Sequence, residues 1–182
     1  MPNWCDNKLI ITGDKENIAI FKKKAKTKDT ALSLNKFVPL PKELKDTTSP
    51  AKIVSAKEYP KAVKEAKEFT KEHKGFGLYL PITKTMQTTF IKKYGVDNWY
   101  NWKINNWGTK WDIKAELVDC DDNEFLEYQF SSAWSPPIEW LHKVAKKYPK
   151  LRFTLKYDEQ GMCFMGVATG IKGVVTEKTM EY

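Results

Sequence analysis

The sequence predicts an α+β domain: an antiparallel sheet with helices on one face, interrupted by a mainly helical insertion. Three observations carry this. Short runs at both ends of the chain alternate apolar and polar residues, the period of a half-buried strand. Two helical stretches follow the first and the fourth of these runs. Between them lies a stretch rich in Lys and Glu whose apolar residues recur at helical spacing.

Lys8–Gly13 reads as the first strand, apolar and β-branched, closed by Gly13. Asp14 offers an N-cap, and Ile18, Phe21 and Ala25 fall on one helical face ringed by Lys22, Lys23, Lys24 and Lys26. A second strand is expected at Leu32–Val38, ended by Pro39 and Pro41. An insertion over 42–110 follows. Its first helix aligns Tyr59, Ala62, Val63, Ala66 and Phe69, and its second, around 84–94, turns Met86, Phe90, Ile91 and Tyr94 inward, with Gly95 as cap. Trp111–Leu117 and Phe125–Ser131 read as a hairpin around Asp121-Asp122-Asn123. Ser135-Pro136-Pro137 opens a helix with Ile138, Leu141, Val144, Ala145 and Tyr148 inward. Leu151–Tyr157 and Met162–Ala168 close the chain as strands, with Ile171–Thr176 extending the last hairpin. Strand–helix–strand, insertion, strand–strand–helix–strand–strand is the split βαβ order of a ferredoxin-like sheet, and 1–182 reads as one such domain.

Composition limits the function. The apolar runs are too short to span a bilayer, and Met-Pro-Asn-Trp-Cys-Asp lacks the regions of a signal peptide, so a cytoplasmic location away from membranes is expected. Cys5, Cys120 and Cys163 are far apart, and Asp119, Asp121 and Asp122 do not follow calcium-loop spacing, so neither a metal site nor a cofactor is expected. The net charge is +8, but Arg152 is the sole arginine. Lysines attract polyanions without the bidentate forks that read duplex bases. Residues 1–111 carry net +11, 112–139 net −7 and 140–182 net +4. A basic arm therefore stands beside an acidic hairpin.

Trp99, Trp102, Trp107 and Trp111 crowd one polar stretch, and Trp134 and Trp140 follow. Two readings stay open: an aromatic core corner, or a cleft where Trp102, Trp107, Trp111 and Trp134 stack bases, Lys110 meets phosphate, and Asn106 or Asp112 meets a base edge. Asn3, Trp4 and Asn7 would form the second wall, with Lys22, Lys23 and Lys26 tracking the backbone. Metal-free RNA cleavage needs a base near a 2′-OH and a cation near the phosphate; Lys110, Asp112, Tyr100 and Tyr94 are the candidates. An N-terminal Pro2 amine is a further candidate base.

Asn3-Trp4-Cys5-x-Asn7, Phe37-x-Pro39-x-Pro41-x-Glu43-Leu44, Asn106-Trp107-Gly108-Thr109-Lys110-Trp111-Asp112 and Ala133-Trp134-Ser135-Pro136-Pro137 together resemble the YubB-type ferredoxin-like domain proteins of phages and conjugative plasmids. Gly161, Phe164 and Gly166 fit the closing hairpin of that pattern, and 42–98 is the least family-like part. The resemblance implies a mobile-element accessory protein working in a bacterial host. Some similar proteins are anti-CRISPR inhibitors, so it implies an inhibitor of an RNA-guided (type II) nuclease that binds guide RNA or its ribonucleoprotein complex. Whether the RNA is also cut stays open, as does oligomeric state. Two alternatives stand beside this: a non-enzymatic inhibitor whose acidic hairpin mimics a phosphate backbone, and a general single-strand binder.

Overall fold

The computed structural model describes residues 3–121 and 124–182. Pro2 and the expected Asp122-Asn123 turn lie outside the described residues. The chain forms two compact units, Met1–Pro39 with Asn106–Tyr182, and Leu40–Asn105.

The first unit holds a six-stranded antiparallel sheet ordered β4-β5-β1-β6-β7-β8. Its strands are β1 (Trp4–Thr12), β4 (Glu116–Asp121), β5 (Phe125–Ala133), β6 (Arg152–Glu159), β7 (Phe164–Ile171) and β8 (Val174–Glu181). Helix α1 (Lys15–Ala25) follows β1, and α5 (Ile138–Lys147) joins β5 to β6. β1 lies antiparallel between β5 and β6. The β4-β5-β1-β6 core with its two crossover helices is the ferredoxin-like arrangement, and the β7–β8 hairpin extends it.

Strand periodicity sorts the side chains. Cys5, Asn7, Leu9 and Ile11 of β1, Leu126, Tyr128 and Phe130 of β5, and Phe153, Leu155 and Tyr157 of β6 are all buried. They face the helices: Phe21 of α1 lies 5.8 Å from Phe153, and a Cβ on Gly170 would meet the Ala145 methyl of α5 at 2.9 Å. Full burial of such an apolar side chain stabilises by about 1.5–3 kcal/mol. Trp140, on α5, is also buried, and its indole N–H donates to the Leu34 carbonyl. The alternate residues Trp4, Asp6 and Lys8, and Lys156 and Asp158, look out from the helix-free face. β8 is an exposed edge, paired only to β7.

Three expectations need correction. Residues 32–38 form no strand; a 3-10 turn covers Leu34–Lys36. The Asp112 carboxylate takes the Leu34 N–H (2.7 Å) and the Ser33 hydroxyl (2.6 Å), and the Leu34 carbonyl takes the N–H groups of Phe37 and Val38, which leaves no ladder to form. Residues 111–115 are not yet strand either. The Ala115 N–H donates to Thr30 Oγ1 and its carbonyl accepts from Ala31, so these groups serve the loop after α1. Ser135 does not cap α5: its hydroxyl donates to the Gly108 carbonyl instead.

The second unit contains β2 (Ile53–Val54) paired in parallel with β3 (Ile82–Thr83), and helices α2 (Tyr59–Glu72) and α3 (Lys84–Tyr94). Thr83 caps α3 through the Met86 N–H, and Gly95 ends it in the left-handed region at φ 77°. Phe90 is buried, but Ile91, expected inward, is half exposed, and none of the aligned residues of α2 is buried. The tryptophan-rich segment, to which the sequence assigns no element of its own within the mainly helical insertion, is helix α4 (Trp99–Trp107), which begins in this unit and ends in the first.

Gly166 shows how tightly the β6–β8 hairpins close. A Cβ there would collide with the Tyr157 hydroxyl and with the Lys178 carbonyl at 2.6 Å. Tyr157 crosses this position to donate to Glu177. Gly166→Ala is expected to lower stability by about 1–3 kcal/mol through overpacking, read as a depressed thermal midpoint.

Candidate nucleic-acid interface

One corner of the first unit gathers three of the four motifs that the sequence displays. β1 starts there with Trp4, α4 ends there with Trp107, and β5 ends there with Ala133 and Trp134. Gly108 follows α4 at φ 83°, a left-handed conformation that favours glycine. A Cβ on it would press on the Pro136 carbonyl at 3.0 Å. That closeness lets the Ser135 hydroxyl reach the Gly108 carbonyl at 2.5 Å. Thr109 Oγ1 donates to the Ala133 carbonyl (3.0 Å) and accepts its N–H (3.2 Å). The Asn7 amide donates to Ser132 Oγ (2.8 Å) and to the Cys5 carbonyl (2.7 Å), and Ser132 donates to the Ser135 carbonyl. The Trp134 N–H donates to the Asn3 carbonyl, and Trp134 takes φ 73°. Buried groups bonded in this way rigidify their surroundings.

The network turns three indoles outward. Trp4 is 51% exposed, Trp111 41% and Trp134 43%. Trp4 and Trp111 lie 5.9 Å apart at 40°. The Lys110 ammonium sits 4.1 Å from the Trp111 ring and 5.9 Å from Trp134. A cation–π contact at such an exposed site contributes about 0.5–1 kcal/mol.

A hollow of about 620 Å³ lies against Trp4, Trp111, Lys114 and Ala133. It runs at Lys114 and Ser131 into a groove of about 650 Å³ over the helix-free sheet face. The groove floor carries Lys8, Lys156, Asp6 and Asp158. Lys8 stands directly opposite Lys156, and Asp6 opposite Asp158. Lys8 pairs with Glu127 at 2.8 Å. Asp6 accepts from the Ser131 hydroxyl and Asp158 from the Tyr182 hydroxyl, each at 2.8 Å. That bond, with some desolvation, pushes the Tyr182 phenol up to about 12, so it stays a donor at neutral pH. An aromatic rim beside a lysine-bearing groove can stack bases and neutralise phosphates.

The expected site residues divide. Trp111, Trp134, Trp4 and Lys110 meet at the rim. Trp107 is 1% exposed, its indole N–H donating to the Val38 carbonyl at 2.8 Å, so it belongs to the core. Trp102 is buried as well. Asn7 is buried and structural. Asn3 is half-buried against Gly161, and Asn106 lies half-buried in the last turn of α4. Asp112 is exposed and lines the hollow; its Oδ1 accepts from the Leu34 and Ile113 N–H groups and its Oδ2 from the Ser33 hydroxyl, which holds the carboxylate in place. Tyr100 lies in the second unit, edge-on to Trp99. Lys22 and Lys23 ride on α1 and Lys26 follows its last residue, on the helix-covered face opposite the groove, and the Lys22 ammonium approaches Cys120 Sγ at 3.7 Å. Of the acidic hairpin, Glu116, Asp119 and Glu124 are exposed, and Asp122 lies outside the described residues. Among the described residues no group of three or more His, Cys, Asp or Glu is arranged to hold a metal ion, and no helix is long and apolar enough to cross a membrane.

The sequence reading missed Asp6, Lys8, Lys114, Ser131, Lys156 and Asp158. Their signal was present as strand parity: Asp6 and Lys8 share one face of β1, and Lys156 and Asp158 one face of β6. What was lacking was the register that sets them side by side.

Residues 106–182 match the family model described as the ferredoxin-like domain in Api92-like protein. The crystal structure of protein api92 from Yersinia pseudotuberculosis shares this fold, at a TM-score of 0.56 and 12% identity, covering 100% of this chain and 98% of that one. No curated protein matches. The matched segment holds Trp111, Trp134, β4 to β8 and α5, while β1 completes the sheet and α1 its helical cover from outside it.

Cys5 sits beneath the rim. Burial, and then the nearby Glu159 carboxylate, push its thiol up to about 12. A thiol with a raised pKa stays protonated and unreactive below that value, whereas Cys120 and Cys163 are exposed. A thiol-reactive dye at pH 8 is expected to modify two cysteines in the native protein and three after denaturation.

Proposed function

We propose that this chain binds single-stranded RNA along the helix-free face of its sheet. The observation that carries the reading is the exposure of Trp4, Trp111 and Trp134 around Lys110, at the mouth of a groove holding Lys8, Lys114 and Lys156. A packed core has no use for three outward indoles, whereas bases stack on aromatic faces at about 1–3 kcal/mol each. The net charge of +8 adds a sequence-independent attraction to polyanions.

Within this reading, the chain is a phage- or plasmid-encoded inhibitor of a host RNA-guided nuclease, engaging the guide RNA alone or in its complex. That finer statement rests on the motif resemblance to YubB-type proteins. Binding is favoured over cleavage because the exposed indoles and the groove lysines account for it without any reacting group. The acidic-mimic alternative draws on Asp119 and Glu124, exposed at the sheet edge, but Glu127 is already neutralised by Lys8.

Titration of a labelled ten-nucleotide RNA at rising salt tests the reading. The native protein is expected to bind with quenching of tryptophan fluorescence, and binding should weaken steeply with salt. Trp4→Ala and Trp111→Ala should each cost about 1–3 kcal/mol of affinity, with thermal midpoints near that of the native protein. Lack of any RNA binding, or full affinity in both variants, would overturn the assignment.

A further inference from the structure

The groove floor is organised in two charged rows. Asp6 of β1 faces Asp158 of β6, and two residues along each strand Lys8 faces Lys156. Like charges directly opposite one another on a sheet are destabilising, and this face sets two such pairs next to each other. No acid–base ion pair joins the rows among the described residues: Lys8 is paired with Glu127, and Lys156 makes no ion pair. The carboxylates are nevertheless held in place. Ser131 and Tyr182 each donate to one Oδ1, which leaves both Oδ2 atoms without a protein donor among the described residues. The rows are about 6.8 Å apart along the strands, twice the rise per residue. The Asp6 row is the one nearer the rim, since Asp6 follows Trp4 by two residues on the same face and Ser131 lines both hollows.

Resting on the RNA reading above, we infer that this floor selects guanine: the Asp6–Asp158 carboxylates accept the N1–H and N2–H donors of an unpaired guanine while Lys156, the member of the lysine row without an ion pair among the described residues, holds phosphate. Ionised carboxylates only accept hydrogen bonds. Guanine alone presents two adjacent donors on its Watson–Crick edge. Adenine and cytosine set one amino donor beside a ring nitrogen that repels a carboxylate, and uracil sets one N–H between two carbonyls. A guanine nucleotide therefore satisfies both rows at once. An arginine side chain would match the acids but leave the lysine row and the indole rim unanswered.

Fluorescence anisotropy with a labelled ten-nucleotide uridine RNA carrying one central guanosine, adenosine, cytidine or inosine decides this. The native protein is expected to bind the guanosine strand about tenfold or more tightly than the adenosine and cytidine strands. Inosine, which lacks the N2 amine, should lose most of that gain. Asp6→Asn and Asp158→Asn should each abolish the preference while retaining affinity for plain uridine RNA, with thermal midpoints no lower than that of the native protein as the check on folding. Equal binding of guanosine, adenosine and cytidine strands by the native protein would overturn the guanine inference and leave RNA binding standing. A preference that survives in both variants would overturn the assignment to these carboxylates. Failure to bind any strand would overturn both readings.

Discussion

The structure depends on the hydrogen-bonded corner where β1 begins. Asn7, Ser132, Ser135, Gly108 and Thr109 belong to three chain segments that are far apart in sequence, and each satisfies a polar group of another. Such groups, buried without partners, would cost about 1–3 kcal/mol each. Bonded to one another, with the Asn7 Oδ1 left buried without a hydrogen-bond partner among the described residues, they fix the end of α4 against the start of α5 and the end of β5. The Trp-rich motifs are therefore mostly scaffold. Their small polar residues do the holding, and the indoles they release outward are a by-product of where the backbone has been pinned.

The same division separates what the sequence disclosed from what it concealed. Strand and helix periods were legible wherever burial is one-sided: Ile18, Phe21 and Ala25, or Leu9 and Ile11, announce a face because the other side meets water. The Leu32–Val38 run looked equally like a strand, but Asp112, nearly eighty residues away, claims the N–H of Leu34 and the hydroxyl of Ser33. No local pattern contains that contact. α4 was obscured for a related reason: Asn and Trp are indifferent helix formers, and little but tertiary context favours the helix there.

For the candidate site, the sequence singled out the aromatic rim and mistook its members. Trp107 and Trp111 lie four residues apart in one motif, yet one donates its indole N–H to a core carbonyl and the other stands at the surface. The turn at Gly108 separates their fates. The groove was invisible for a different reason. Its lysines and aspartates are ordinary surface charges until the register of β1 against β6 brings like beside like. Charge composition reported an excess of lysine, but only strand pairing sorts charge into rows.

The exposed edge at β8 bears on how the sheet ends. Two copies meeting there antiparallel about a twofold axis would have to centre on one residue. Centring on Glu177 or Lys178 sets identical charges face to face, and centring on Thr179 sets Glu177 against Glu181. Centring on Thr176 places Glu177 against Val175. In three of these four registers like charges thus meet across the open hydrogen-bonding side, which works against self-extension, the danger inherent in a long unpaired edge.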